Sequence, residues 1–143
     1  MYPEVLIIET DAPRRDALQR TLEEAGYPVS VAADRDAALA VLHLNLTRKR
    51  PHRLVVLLDH TLPDLDGVEM LRTMTEDPHL ATHHAYVLIT VPEDHSFTVP
   101  EDVLACLTAS VLPRPFTPDV LLGVVAQAAN SLGMGSEGTG RRD

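Results

Sequence analysis

The chain has 143 residues, of which 45% are apolar, and 12 Lys+Arg against 21 Asp+Glu give it a formal charge of −9. That length suits one domain of about 100–150 residues, and the apolar share is too high for a chain disordered throughout. The acidic balance repels nucleic-acid phosphates and anionic lipid. Its one basic cluster, Arg48-Lys49-Arg50 with Arg53, is short and lacks interleaved aromatics, so no direct nucleic-acid binding is expected. A single cysteine, Cys106, rules out an internal disulfide and suits a reducing compartment. Met1-Tyr2-Pro3-Glu4 lacks the basic start of a signal peptide, and no apolar run approaches the roughly 18–20 residues that span a bilayer. The expectation is an acidic, cytoplasmic single domain with no membrane partner.

In chain order, Val5–Ile8 reads as a first strand. Asp11-Ala12-Pro13 opens a helix with a cap and a proline in its first turn; Leu18, Leu22 and Ala25 form its apolar face, and Gly26 with Pro28 ends it. Val29–Ala33 is a second strand, and Asp34 caps a second helix carrying Ala38, Val41 and Leu42. Leu54–Leu58 is a third strand. Asp66-Gly67 leads into a third helix with Val68, Leu71 and Met74, stopping near Asp77-Pro78. Tyr86–Ile89 is a fourth strand. Val91–Val99 reads as loop, with a short helix over about Pro100–Leu107. Val111-Leu112 marks a weaker fifth strand. Thr117-Pro118-Asp119 opens the last helix, whose buried face is Leu121, Val125, Ala128 and Leu132. The domain is expected over 1–132, with the glycine-rich 133–143 a flexible tail.

The first, third and fourth apolar runs are continuous rather than alternating, as in strands buried on both faces of a parallel sheet. Five alternating βα units imply an α/β fold, a doubly wound, flavodoxin-like parallel sheet of five strands. In such sheets the functional crevice lies at the carboxyl ends of the strands. The residues that follow the strands are Glu9-Thr10-Asp11, then Asp59-His60-Thr61 ahead of Leu62–Gly67, then Thr90, then Arg114-Pro115-Phe116. An aspartate there can attack phosphorus and form an aspartyl phosphate. Mg²⁺ held by carboxylates can offset the charge, and a hydroxyl and a fixed cation can bind phosphoryl oxygens. Asp59, Glu9, Thr90 and Arg114 fit these roles.

From Val5 to Leu132 the chain resembles the receiver domain of bacterial response regulators, the phosphoacceptor half of two-component signalling. Leu54–Asp59 followed by Leu62-Pro63-Asp64-Leu65-Asp66-Gly67 is the most specific piece, supported by Leu6–Glu9, Ile89-Thr90 and Arg114-Pro115-Phe116. The resemblance implies Asp59 as phosphoacceptor, Thr90 as switch hydroxyl and Arg114 in place of the family's lysine, with a cis bond to Pro115. It implies Mg²⁺ at Glu9, Asp59 and the Thr61 backbone carbonyl. Four positions depart from the family pattern. Thr10 replaces the second acid of the metal-binding pair, and Glu9 is a methylene longer than the usual aspartate. Arg114 is not a compact ammonium, and Val111 cannot turn as an aromatic switch would. Weak Mg²⁺ binding is therefore expected.

The implied function is signalling rather than catalysis. A histidine kinase or phosphotransfer protein would donate to Asp59, and a separate output protein would read the result, since only about a dozen residues follow the last helix. The alternative is a degenerate receiver acting as a phosphorylation-independent interaction module. Dimerisation through the fourth and fifth helices is open. An aspartate phosphatase would want an acid where Thr61 stands, and a flavin-type phosphate loop would not carry Glu9-Thr10-Asp11. Asp11 reads mainly as a helix cap, Met70 and Met74 as core or its margin, and Cys106 as a buried thiol. Arg48–Arg50 and the His83-His84 pair read as solvated loops.

Overall fold

The computed structural model describes residues 3–50, 52–59, 72–77, 83–90 and 108–132. Strands β1 (Val5–Ile8), β2 (Val29–Ala32), β3 (Val55–Asp59), β4 (Ala85–Thr90) and β5 (Thr108–Pro113) form one sheet in the order β2-β1-β3-β4-β5. Every pairing is parallel. The three central strands are those with continuous apolar runs, and every residue in them is buried. An interior strand of a parallel sheet covered by helices on both faces leaves neither set of alternate side chains free to be polar.

Alternation divides the core. Leu6, Ile8, Val56, Leu58, Tyr86 and Leu88 face helix α2 (Arg35–Leu46) through Ala38 and Leu42, and Met74 joins them from a helical turn at 72–75. Val5, Ile7, Val55, Leu57, Val87 and Ile89 face α1 (Ala12–Glu24) through Leu18 and Leu22. The C-terminal helix (Pro118–Ser131) covers the same face with Leu121, Val125 and Ala128. Each such aliphatic side chain contributes about 1.5–3 kcal/mol by leaving water, which is why helices on both faces are needed to close this sheet.

Helix starts follow the sequence signals. The Asp11 side chain accepts from the Arg14 N–H at 3.0 Å, Asp34 from Ala37 at 2.8 Å and Thr117 from Val120 at 3.3 Å. Each satisfies one of the first-turn donors that have no partner within the helix. Gly26 takes φ 102° after α1, a conformation that side chains with a Cβ resist. β5 is longer than the Val111-Leu112 run that betrays it, because backbone pairing with β4 recruits Thr108, Ala109 and Ser110. As an edge strand it needs burial on one side only, and Val111 is 43% exposed while Leu112 is buried.

One expectation is overturned. His84 lies in the core at 0% exposure rather than in a solvated loop. Its Nδ1 accepts the Leu54 N–H at 2.9 Å, supplying the acceptor that the start of β3 requires, and its ring stands edge-on to His83 and Tyr86. Burial, aided by His83 and Arg53, pulls its pKa down to about 4. The ring is therefore neutral at pH 7, with its proton on Nε2. His83 is half-buried, its Nε2 3.0 Å from the His52 carbonyl. Arg48–Arg50 are exposed, as expected. Most of the third helix, the fourth helix with Cys106, and the 133–143 tail lie outside the described residues. Among the described residues no helix is long and apolar enough to cross a membrane.

Candidate functional site

Strand register brings the candidate residues together. Ile8 pairs with Leu58, so Glu9 follows β1 beside Asp59 at the end of β3. Asp59 pairs with Ile89, so Thr90 is one residue further along β4, opposite Pro113 of β5. Glu9, Asp59 and Thr90 are only 4%, 2% and 6% exposed. Polar side chains buried so deeply at one sheet edge require partners.

Arg114 is the principal partner. Its Nη2 donates to Asp59 Oδ2 at 3.0 Å and to Glu9 Oε1 at 3.3 Å, bridging the two carboxylates. Its backbone N–H donates to the Thr90 carbonyl at 2.8 Å, fastening the loop after β5 to the end of β4. The Arg114–Pro115 bond is cis, as the resemblance implies, and the guanidinium lies 5.8 Å from the Phe116 ring centroid. Among the described residues, Arg114 Nε is buried without an acceptor.

A second arginine was not singled out by the sequence. Arg14, in the first turn of α1, places Nη1 3.6 Å from Asp59 Oδ2 and Nε 3.8 Å from Asp11. The available signal was position: a helix that begins four residues after a strand ends turns its first side chains back over that strand's end. Arg15 also points inward, its Nη1 donating to the Glu9 carbonyl at 3.0 Å and the Thr10 carbonyl at 3.4 Å. Asp11 caps α1, and its N–H donates to Glu9 Oε2 at 3.1 Å. Burial raises the Glu9 pKa, and the Asp59 carboxylate adds to the rise. The Asp11 N–H and Arg114 pull the other way.

These contacts bear on a metal. Mg²⁺ wants several oxygen ligands in near-octahedral geometry. Glu9 Oε1 and Asp59 Oδ2 both face Arg114, Glu9 Oε2 is taken by a backbone donor, and the side chain at Thr10 carries no carboxylate. No group of three or more potential ligands from His, Cys, Asp and Glu occurs among the described residues. The described residues therefore fit a guanidinium better than a divalent cation. Thr61, expected to offer its carbonyl, lies outside the described residues, as do His60 and Leu62–Gly67.

Residues 5–126 match the response regulator receiver domain family. The chain belongs to that family. It is 27% identical over 135 residues to the hydrogenase transcriptional regulatory protein HoxA of Cupriavidus necator, covering 91% of this chain but only 25% of HoxA. It is 30% identical over 127 residues to an uncharacterized 14.6 kDa protein of Leptolyngbya boryana, covering 87% of this chain and 88% of that one. Its fold is similar to that of a CheY-like receiver domain protein from Methanospirillum hungatei, at TM-score 0.71 and 22% identity over 89% of this chain and 94% of that one. It is also similar to a putative two-component response regulator/GGDEF protein, at TM-score 0.74 and 23% identity, covering 92% of this chain and half of the other. Receiver domains are signalling modules of two-component systems rather than enzymes in general. They interact with histidine kinases and output domains and typically bind Mg²⁺ at an acidic pocket.

Proposed function

We propose that Asp59 accepts a phosphoryl group from the phosphohistidine of a histidine kinase or phosphotransfer protein, and that the modified domain signals through protein contacts. The observation that supports this most is the bridge from Arg114 to Asp59 and Glu9, with Thr90 tied to the same loop. An Asp59 carboxylate oxygen attacks phosphorus. The phosphorus–nitrogen bond breaks, its electron pair returns to the donor's imidazole, and that nitrogen takes up a proton. Arg114 sits where charge develops on the phosphoryl oxygens, and its Nε–H is a donor available to them. The Thr90 hydroxyl donates to another of those oxygens. Arg114 and Thr90 share a backbone hydrogen bond, so movement of either shifts the end of β4 and the loop after β5 together.

The test is intact-protein mass spectrometry after incubation with a small phosphodonor such as acetyl phosphate, beside Asp59→Asn. A phosphate-sized adduct on the native chain alone supports Asp59 as acceptor. An adduct that persists on Asp59→Asn removes Asp59 from that role. No adduct on a folded native chain favours a module that works without phosphorylation.

A further inference from the structure

Among the described residues, the Glu9 and Asp59 carboxylates are met by two guanidiniums. Arg114 reaches both Asp59 and Glu9, and Arg14 lies 3.6 Å from the same Asp59 oxygen. Among the described residues, arginine side chains supply positive charge to both carboxylates. A divalent cation added there would lie close to two positive charges.

Arg14 is held in this position. Asp11 accepts from its backbone N–H and lies 3.8 Å from its Nε, so the cap of α1 orients the side chain toward the strand ends. Arg15 engages the Glu9 and Thr10 carbonyls, drawing main-chain oxygens of this loop away from any ion. Thr10 stands where a second acid would strengthen the demand for a dication, and it is exposed. Three features of one loop therefore point the same way: an acid missing at Thr10, carbonyls engaged by Arg15, and a cation supplied by Arg14.

We infer that Arg14 takes the place of the divalent cation at Asp59, so that the pocket keeps its charge balance and accepts a phosphoryl group without metal. This rests on Asp59 being the acceptor. Arg14 and Mg²⁺ compete for one position, and removing the guanidinium makes the site metal-dependent.

Two readouts test this on the full chain and on Arg14→Gln, a neutral replacement that keeps a polar side chain. The first is a Mg²⁺ titration followed by backbone amide resonances of Glu9, Asp59 and Thr90, which needs no phosphorylation. The native chain should show no saturating response at millimolar Mg²⁺, whereas Arg14→Gln should saturate. The second is acetyl phosphate labelling with and without a chelator, in which the phosphorus–oxygen bond breaks and acetate leaves. Native labelling should be unchanged by chelation. Arg14→Gln labelling should fall about tenfold, the scale set by loss of one charge-assisted contact, and recover with Mg²⁺. Arg14→Gln titrating like the native chain, or native labelling abolished by the chelator, overturns the inference. If neither chain labels under any condition, the acceptor role of Asp59 has failed, and the titration still decides whether Arg14 excludes the ion.

Discussion

Arg114 Nη2 lies 3.0 Å from Asp59 Oδ2, joining the loop after β5 to the last residue of β3 across 55 residues of sequence. Asp59 is almost fully buried, so a charge there needs close partners, of which Arg114 is one. Arg114→Ala should destabilise the fold by about 2 kcal/mol, the scale for removing a charged hydrogen-bond partner from a buried group. In an Asp59→Asn background the same substitution should cost much less. Urea midpoints of the four chains in this cycle check it. Equal costs in both backgrounds would show that Arg114 acts elsewhere.

Thr10 follows Glu9 directly and is exposed. Thr10→Asp should tighten Mg²⁺ binding relative to the native chain by adding a carboxylate beside Glu9. Calorimetric titration of both chains measures it, and identical affinities would contradict it.

His84 predicts a pH dependence with a definite sign. Its folded-state pKa is about 4 against an ordinary 6.5, so between those values the unfolded chain binds more protons than the folded one. The stability it confers is complete above pH 6.5 and is lost as pH falls toward 4. The full effect is about 3 kcal/mol, at about 1.4 kcal/mol per pKa unit. His84→Gln, which retains an acceptor for the Leu54 N–H, should remove that component of the slope. Urea denaturation of both chains across this pH range measures it, and parallel curves would count against His84 as the source.

Glu9 carries the opposite sign. Its pKa is raised mainly by burial, so its contribution is present below its unfolded pKa and is lost as pH rises through the folded value. At neutral pH Glu9→Gln should therefore raise the urea midpoint while altering the pocket. An unchanged or lower midpoint would mean that the Arg114 contact outweighs the burial of the charge.

The Thr117 cap is a separate matter of stability. Thr117→Ala should cost about 1 kcal/mol by leaving the Val120 N–H without its acceptor. Thermal unfolding would register this as a lower midpoint. Phosphodonor labelling should be unaffected, because the cap touches none of the carboxylates.

Short-range chemistry is what the sequence displays most directly. Asp11, Asp34 and Thr117 are legible as caps because a helix start is a contact between residues two or three apart. β1, β3 and β4 are legible as central strands because burial on both faces leaves no place for polar residues. Asp59, Glu9, Thr90 and Arg114 were legible as a set because a parallel sheet gathers strand ends at one edge. β5 was only half visible, since an edge strand needs apolar residues on one side alone.

His84 and Arg14 show where such inference stops. Adjacent histidines look alike in sequence, yet one is buried, where it accepts the Leu54 N–H just ahead of β3. The position of Arg14 in the first turn of α1 turns it toward the strand ends, but does not say which carboxylate, 45 residues away, its guanidinium meets. Period and spacing are local, so the strands, the helix caps and the residues at the carboxyl edge can be read along the chain. Which cation faces which carboxylate depends on how α1 and the loop after β5 converge in space, and no local pattern encodes that.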